Sequence, residues 1–353
     1  MELRDAQELW NPRPGWLNTA SYGLPPRPGW DALQSALADW QIGATSWELW
    51  DDSTGRARTA FAGLVGADPA DIFVGSTVSA AMAPVAAAIP DGATVLVPDI
   101  EFTSNVFPWA VHADRKVSVV TAPVDGFVAA IRPGVDVVAV SAVQSATGDV
   151  ADLAAIVAAG RQIDALVVVD ATQAVGWLPI DVAGVDALVS STYKGLMSPR
   201  GATFGYLSPR LRRLCRPINA GWYAAADMHG SYYGLPMELA PSARRFDQSP
   251  AWFSVVGSAP ALELVAEIGV PAINQYDVAL ANSFRAGLGL PPGDSAIVSA
   301  DVPGAAEAFA AAGVRAAVRD GRMRVSFHLY STQSDVDLAL NALDALDGLR
   351  RSE

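Results

Sequence analysis

Two side chains in this sequence could together carry out carbonyl chemistry. Lys194 stands in Ser190-Ser191-Thr192-Tyr193-Lys194-Gly195, after an apolar strand-like run and before the Gly- and Pro-containing turn 196–201. A primary amine at a strand end, flanked by hydroxyls, can form a Schiff base with an aldehyde. Taken alone, the segment reads more readily as a solvated loop lysine. Asp170 closes Leu166-Val167-Val168-Val169-Asp170, a buried-strand pattern ending in a carboxylate. An acid at the C-terminal end of a strand points into the crevice where open α/β sheets bind ligands. In isolation it reads as a helix N-cap.

The two residues are more informative together than apart. An aspartate and a lysine 24 positions later, each at a strand end, match a pyridoxal phosphate site. There the carboxylate keeps the pyridine nitrogen protonated and the lysine carries the aldehyde. A third segment, Phe73-Val74-Gly75-Ser76-Thr77-Val78-Ser79, runs from strand to glycine to hydroxyls to an Ala-rich helix start. Backbone N–H groups at a helix N-terminus, with two hydroxyls and a glycine, make a phosphate cradle. An ordinary N-cap has the same appearance, so this segment gains weight from preceding the Asp–Lys pair. Pro84 is expected to kink or shorten the helix that follows.

The elements that must position these groups alternate along the chain. Residues 72–74, 94–97, 117–120, 137–140 and 166–169 are short β-branched runs bounded by turn residues, and 187–190 and 202–207 add two more strands. Near-continuous apolar runs fit strands covered on both faces. Helical patterns between them predict an α/β fold with a mostly parallel seven-stranded sheet and helices on both sides. Residues 216–252 lack periodicity and are rich in Gly, Pro and aromatics, as long functional loops are. A compact α+β end follows. The expected division is an N-terminal arm and large domain over 1–253, and a small C-terminal domain over 254–353.

Composition excludes several classes. With 51% hydrophobic and 17% charged residues the chain can bury a core and is not intrinsically disordered. A net charge of −13 argues against nucleic-acid binding, which depends on Lys and Arg neutralising phosphates. A single cysteine, Cys215, excludes an intrachain disulfide and a cysteine zinc site, and His112, His229 and His328 lack ligand spacing. The charged start Met1–Gln7 is unlike a signal peptide, and no apolar run is long enough to span a membrane. The expectation is a soluble cytoplasmic enzyme.

The ordered motifs resemble the class V aminotransferase family of fold-type I pyridoxal-phosphate enzymes. That family includes cysteine desulfurases, selenocysteine lyases, kynureninases and isopenicillin N epimerase-like proteins. The resemblance runs through Leu17-Asn18-Thr19-Ala20-Ser21, Gly75-Ser76-Thr77, Glu101-Phe102-Thr103-Ser104-Asn105, Asp170-Ala171-Thr172-Gln173-Ala174 and Ser191-Thr192-Tyr193-Lys194, and ends at Arg324-Val325-Ser326-Phe327-His328-Leu329-Tyr330-Ser331-Thr332. It implies that Lys194 is the Schiff-base lysine, Asp170 pairs with the ring nitrogen and Gln173 contacts the ring hydroxyl. Ser76, Thr77, Ser191 and Tyr193 would hold the phosphate. Phe102 would stack on the ring with Asn105 close by, and Asn18, Ala20 and Arg324 would bind the amino-acid substrate. Trp222 and Ser249, in segments 220–223 and 245–250, would approach a cofactor in a homodimer with shared active sites.

The chain also departs from the family. Desulfurases carry a loop cysteine shortly before the C-terminal arginine motif, and residues 216–353 contain none. The expected reaction is therefore β-elimination of the C–S lyase type, with transamination or epimerisation of a small amino acid as the alternative. A non-catalytic binding module would have lost Lys194 or Asp170. A NAD-dependent rival lacks its Gly-x-Gly-x-x-Gly motif.

Overall fold

In the computed structural model, which describes residues 1–350, seven strands share one sheet. They are β1 (Ile72–Gly75), β2 (Thr94–Pro98), β3 (Ser118–Ala122), β4 (Val137–Ser141), β5 (Leu166–Asp170), β6 (Ala187–Ser191) and β7 (Thr203–Leu207), in the order β1-β7-β6-β5-β4-β2-β3. Strands β3, β2, β4, β5 and β6 run parallel, while β7 is antiparallel to both β6 and β1. Alternate residues pack to opposite sides. Val138, Val140, Val167, Val169 and Leu188 join one core, and Val137, Ala139, Leu166, Val168 and Val189 join the other. Both faces being covered is why these strands read as unbroken apolar runs. The edge strand β3 keeps Ser118, Val120 and Thr121 exposed.

The helix Val78–Ala88 continues through Pro84 to its full 11 residues. Pro84 has no N–H for the carbonyl of Ala80; the Asn219 side-chain amide donates to that oxygen instead, at 3.3 Å. A helix over Trp252–Ile268 packs on Arg27–Gln41 and Trp47–Leu64 and contributes Val255, Ala259, Leu262 and Val265 to the first core. Gly29 permits the close approach, because a Cβ there would stand 2.8 Å from the Gly257 carbonyl oxygen.

A second sheet of β8 (Ile297–Ala300), β9 (Ala317–Arg319) and β10 (Arg322–Ser326) is antiparallel, with β10 in the centre. Phe284, Val298, Phe309, Val325, Phe327 and Val336 form its core, and Leu17 from the N-terminal segment belongs to it. Leu17 donates to the Arg315 carbonyl and accepts from Ser326 N, which lays residues 17–21 beside β10. Among the described residues no single helix is long and apolar enough to cross a membrane.

Candidate active site

Sheet register assembles the site. Ser141 pairs with Asp170, and Asp170 with Val189, so the C-terminal ends of β4, β5 and β6 stand side by side. Beyond them lies a cavity of about 200 Å³ lined by Ser76, Thr77, Phe102, Asp170, Gln173, Ser191, Tyr193 and Lys194, together with Thr103, Ser141, Ser145, Thr172 and Arg200. A larger cleft of about 760 Å³ lies between the sheet and the small domain. Its ionisable lining is Asp99, Asp125, Asp149, Asp152, Asp294 and Arg285. It contains no lysine, so Schiff-base chemistry belongs to the smaller cavity.

One end of that cavity suits a phosphate. Thr77 caps the helix Val78–Ala88, its Oγ1 accepting from Ala80 N at 3.2 Å. Ser76 Oγ donates to Gln248 Oε1 at 3.2 Å. The turn is anchored from behind: Asp247 Oδ1 accepts from Val74 N at 2.8 Å, Gln248 N donates to Val74 O, and Arg58 closes an ion pair with Asp247 at 2.6 Å. Ser191 shares a hydrogen bond with Thr203 Oγ1 at 2.9 Å, and the Arg200 guanidinium lies 4.8 Å over the Tyr193 ring. A helix N-terminus, exposed hydroxyls and a guanidinium together form an anion site. Arg58 and Arg200 were not anticipated. Arg58 lies in a helix far along the chain from its partner Asp247, while Arg200 stands in the Gly- and Pro-containing turn already noted after the lysine.

The middle of the cavity suits an aromatic ring. Phe102 is 48% exposed at the N-cap of the helix Thr103–Ala110, with its centroid 5.7 Å from Lys194 Nζ. Helix-core packing is thereby ruled out as its role. Buried Glu101 fixes this corner by accepting from Phe102 N at 2.8 Å, Ser141 N at 2.6 Å and the Ser141 hydroxyl. Asp170 is buried, and its Oδ1 accepts from Thr172 N at 2.9 Å in a turn, not at a helix cap. Burial pushes its carboxyl upward, with Thr172 and the Lys194 ammonium pulling the other way. Gln173 Nε2 donates to Ala20 O at 3.0 Å and Ser145 Oγ at 3.1 Å. Lys194 is lowered to about 8, first by burial; Asp170 opposes this, and Arg324, Arg319 and Arg200 add to it. An amine, a carboxylate, an exposed aromatic face and an anion cradle in one cavity are the donor set that pyridoxal phosphate requires.

At the rim, Arg324 is 1% exposed. It donates through Nη1 to the Ser145 carbonyl and to Ser145 Oγ at 3.2 Å, and through Nη2 to Ser21 Oγ at 3.1 Å. Its Nε has no partner, and among the described residues no carboxylate lies within ion-pair distance. Burial, reinforced by Arg319, lowers it to about 10. Asn18 and Ala20 brace this rim through backbone contacts: Asn18 bridges to Ser326, and Ala20 N donates to Ser326 Oγ at 2.8 Å. Ser21 and Ser145, which touch Arg324 directly, carry no signal in the sequence beyond their neighbours.

Six anticipated residues do not line this cavity: Asn18, Ala20 and Arg324, which stand beside it at the rim, and Asn105, Trp222 and Ser249, which lie away from it. Asn105 is fully buried, with its side-chain amide unpaired and its carbonyl accepting from Trp109 Nε1 at 2.8 Å. The helix that exposes Phe102 turns Asn105 inward. Trp222 packs against Trp47 at 5.1 Å and Tyr232 at 5.4 Å, and Ser249 is exposed. Cys215 is buried, with its thiol pushed up to about 12 by burial.

The profile of the family described as aminotransferase class-V matches residues 50–301. This chain belongs to the class-V aminotransferase family. It is a pyridoxal-phosphate-dependent enzyme of fold type I. Among curated relatives, the uncharacterized aminotransferase YcbU of Bacillus subtilis (strain 168) is 29% identical, with 85% of this chain and 86% of the relative aligned. Isopenicillin N epimerase of Streptomyces clavuligerus is 27% identical, with 94% of each aligned. The cystine C–S lyase C-DES, solved with its product cysteine persulfide, superposes with a TM-score of 0.83 at 20% identity, covering 94% of this chain and 97% of its own. This class-V enzyme has the same sheet and small-domain arrangement.

Proposed function

We propose that this class-V enzyme is a β-eliminating C–S lyase acting on cysteine S-conjugates. One observation carries the reading. The cavity's lysine stands within electrostatic reach of a buried arginine that has no carboxylate at ion-pair distance among the described residues, while the chain's single thiol is buried and held protonated. Without a reactive thiol to accept sulfur, a sulfur substituent on the β-carbon departs directly.

In this reading Arg324 grips the α-carboxylate in a forked, charge-assisted pair. Ser21 and Ser145 hold the guanidinium in place. Lys194, Asp170, Phe102 and the Ser76–Thr77 cradle would hold the cofactor, which would supply an electron sink for charge developing at the α-carbon. Lys194, once displaced from the cofactor by the substrate's amine, would remove the α-proton as its neutral amine; a value lowered to about 8 keeps part of the population neutral near physiological pH. The thiol then leaves and water completes the balance: an S-substituted cysteine and water give a free thiol, pyruvate and ammonia.

Purified enzyme is expected to release pyruvate and ammonia in equal amounts from a suitable S-conjugate, with no keto-acid co-substrate. Accumulation of aminated cofactor discharged only by an added keto acid would establish transamination. Solvent-deuterium exchange at the α-carbon without net product would favour epimerisation, and appearance of the opposite enantiomer would establish it; the end-to-end alignment with isopenicillin N epimerase supports that alternative.

A homodimer with shared sites is part of the same proposal. Trp222, Tyr232, Tyr233, Leu235 and Met237 form an aromatic and apolar surface, with Tyr233 93% and Leu235 87% exposed. Such a surface is suited to an interface. Light scattering should give twice the chain mass; a monomer at working concentration would remove this part.

A further inference from the structure

A buried histidine–carboxyl pair lies directly behind the lysine. His328 and Asp277 are each fully buried, and Asp277 Oδ2 stands 3.3 Å from His328 Nδ1. The other ring nitrogen, Nε2, is 2.7 Å from the carbonyl oxygen of Gly195, the residue following Lys194. A carbonyl only accepts, so Nε2 carries a hydrogen. Nδ1 accepts from Leu329 N at 2.8 Å and therefore carries none. The imidazole is the neutral Nε2–H tautomer, and the contact with Asp277 is not an ion pair.

The state of Asp277 follows. Neither of its oxygens receives a hydrogen bond from the described residues. A charged carboxylate there would be desolvated and would face the lone pair of Nδ1, at a cost of several kcal/mol. Burial without a hydrogen-bond partner favours the neutral acid at Asp277, which packs against the Nδ1 edge of the ring. Burial acts in the same sense on both groups, raising the Asp277 carboxyl well above the usual range and lowering His328 to about 4. The other titratable groups around the pair are the phenols of Tyr276 and Tyr330, both raised by burial and so neutral.

This pair connects the two halves of the site. His328 lies four residues beyond Arg324. The turn after it closes on itself through Ser331, and Tyr276 on the helix Val270–Gly287 donates to the Ser331 carbonyl at 2.6 Å. On the other side, the Gly195 carbonyl is wedged against the turn at Gly176, where a Cβ would stand 2.3 Å from it. Lys194 O accepts from Met197 N at 2.9 Å. We propose that His328, backed by a protonated Asp277, is a positioning residue that fixes the Lys194–Gly195 peptide relative to the strand carrying Arg324, and so sets the distance between the amine and the bound α-carboxylate. Misplacement by about 1 Å can cost roughly 100-fold in rate, which gives the link its consequence.

The inference rests on Lys194 carrying the cofactor, not on which bond breaks afterwards, so its test reads the lysine directly. His328→Leu removes the donor at similar bulk. His328→Gln restores an amide N–H near the Nε2 position. Asp277→Asn keeps an uncharged side chain of the same shape against the Nδ1 edge. In holoenzyme, His328→Leu is expected to shift the pH midpoint of the near-visible cofactor band by half a unit or more. It should lower kcat by about 10- to 100-fold with KM changed less than about threefold. Glutamine should recover most of both, and Asp277→Asn should resemble wild type. Selective ¹⁵N-histidine NMR, with the His328 signal identified by its loss in the Gln variant, should show the Nε2–H tautomer unchanged from about pH 5.5 to 9.

An unshifted band and kcat in His328→Leu would overturn the proposal. So would a His328 that titrates near neutrality, or an Asp277→Asn variant as impaired as His328→Leu. If the leucine variant does not fold, His328→Asn, whose amide is too short to reach Gly195, takes its place. Borohydride fixation that misses Lys194 in wild type would instead sink the lysine assignment beneath it.

Discussion

Replacing Lys194 with alanine is expected to abolish borohydride-fixable attachment of pyridoxal phosphate and to lower turnover by at least about 10³-fold, because one residue both tethers the cofactor and moves the α-proton. The fold should survive, since the change removes a buried amine that has no ion-pair partner among the described residues. The wild-type amine gives the prediction a second arm. Burial lowers it to about 8, with three arginines adding to the shift and Asp170 opposing it. Only the neutral amine attacks an aldehyde, so the rate of cofactor incorporation into apoprotein should rise about tenfold per pH unit below about 8 and level off above. Peptide mapping after borohydride reduction locates the label, and stopped-flow absorbance gives the profile. Label on another lysine would end the assignment. A rate still climbing at pH 10 would mean that the amine behaves as a solvated one.

The strands were legible because burial on both faces leaves a direct mark on a sequence. Leu166–Val169 and Ala187–Val189 are apolar, and the change to Asp170 and to Ser190-Ser191 marks where the sheet approaches the cavity. Lys194 and Asp170 could be read for the same reason: ionisable groups beside such runs have few structural uses. What could not be read depends on long-range contacts. Arg58 meets Asp247 and His328 meets Gly195 only through the fold, and nothing in the local pattern of either segment points to its partner. Asn105 failed for a different reason. Its motif position suggested a cofactor contact, but the helix beginning at Thr103 places it three residues after exposed Phe102 and facing the core. Helix phase decides direction, and the phase depends on where the helix starts.

Arg324→Met is expected to separate activity from stability, with opposite signs. A guanidinium that is 1% exposed, with its Nε unpaired and no carboxylate within ion-pair distance among the described residues, is a desolvated cation lacking a counter-ion. Its lowering to about 10, caused first by burial, has the sign of a group that the fold holds at a cost. Methionine is apolar and flexible enough to fill much of the space, so the melting temperature of the unliganded protein should stay level or rise. An arginine kept for structure would behave in the opposite way, since breaking a buried ion pair costs about 3–5 kcal/mol. Activity should fall by roughly 10²- to 10³-fold in kcat/KM, on the order of 3–4 kcal/mol, as a forked charge-assisted pair to the α-carboxylate is lost. Most of the loss should appear in KM, with a smaller share in kcat from poorer alignment of the α-proton. A substrate analogue with the carboxylate amidated should discriminate poorly between variant and wild type, because neither can form the fork. Thermal melts and steady-state kinetics on the same preparations test both signs. A lower melting temperature with unchanged KM would make Arg324 a structural residue and leave the substrate carboxylate without a partner at this rim.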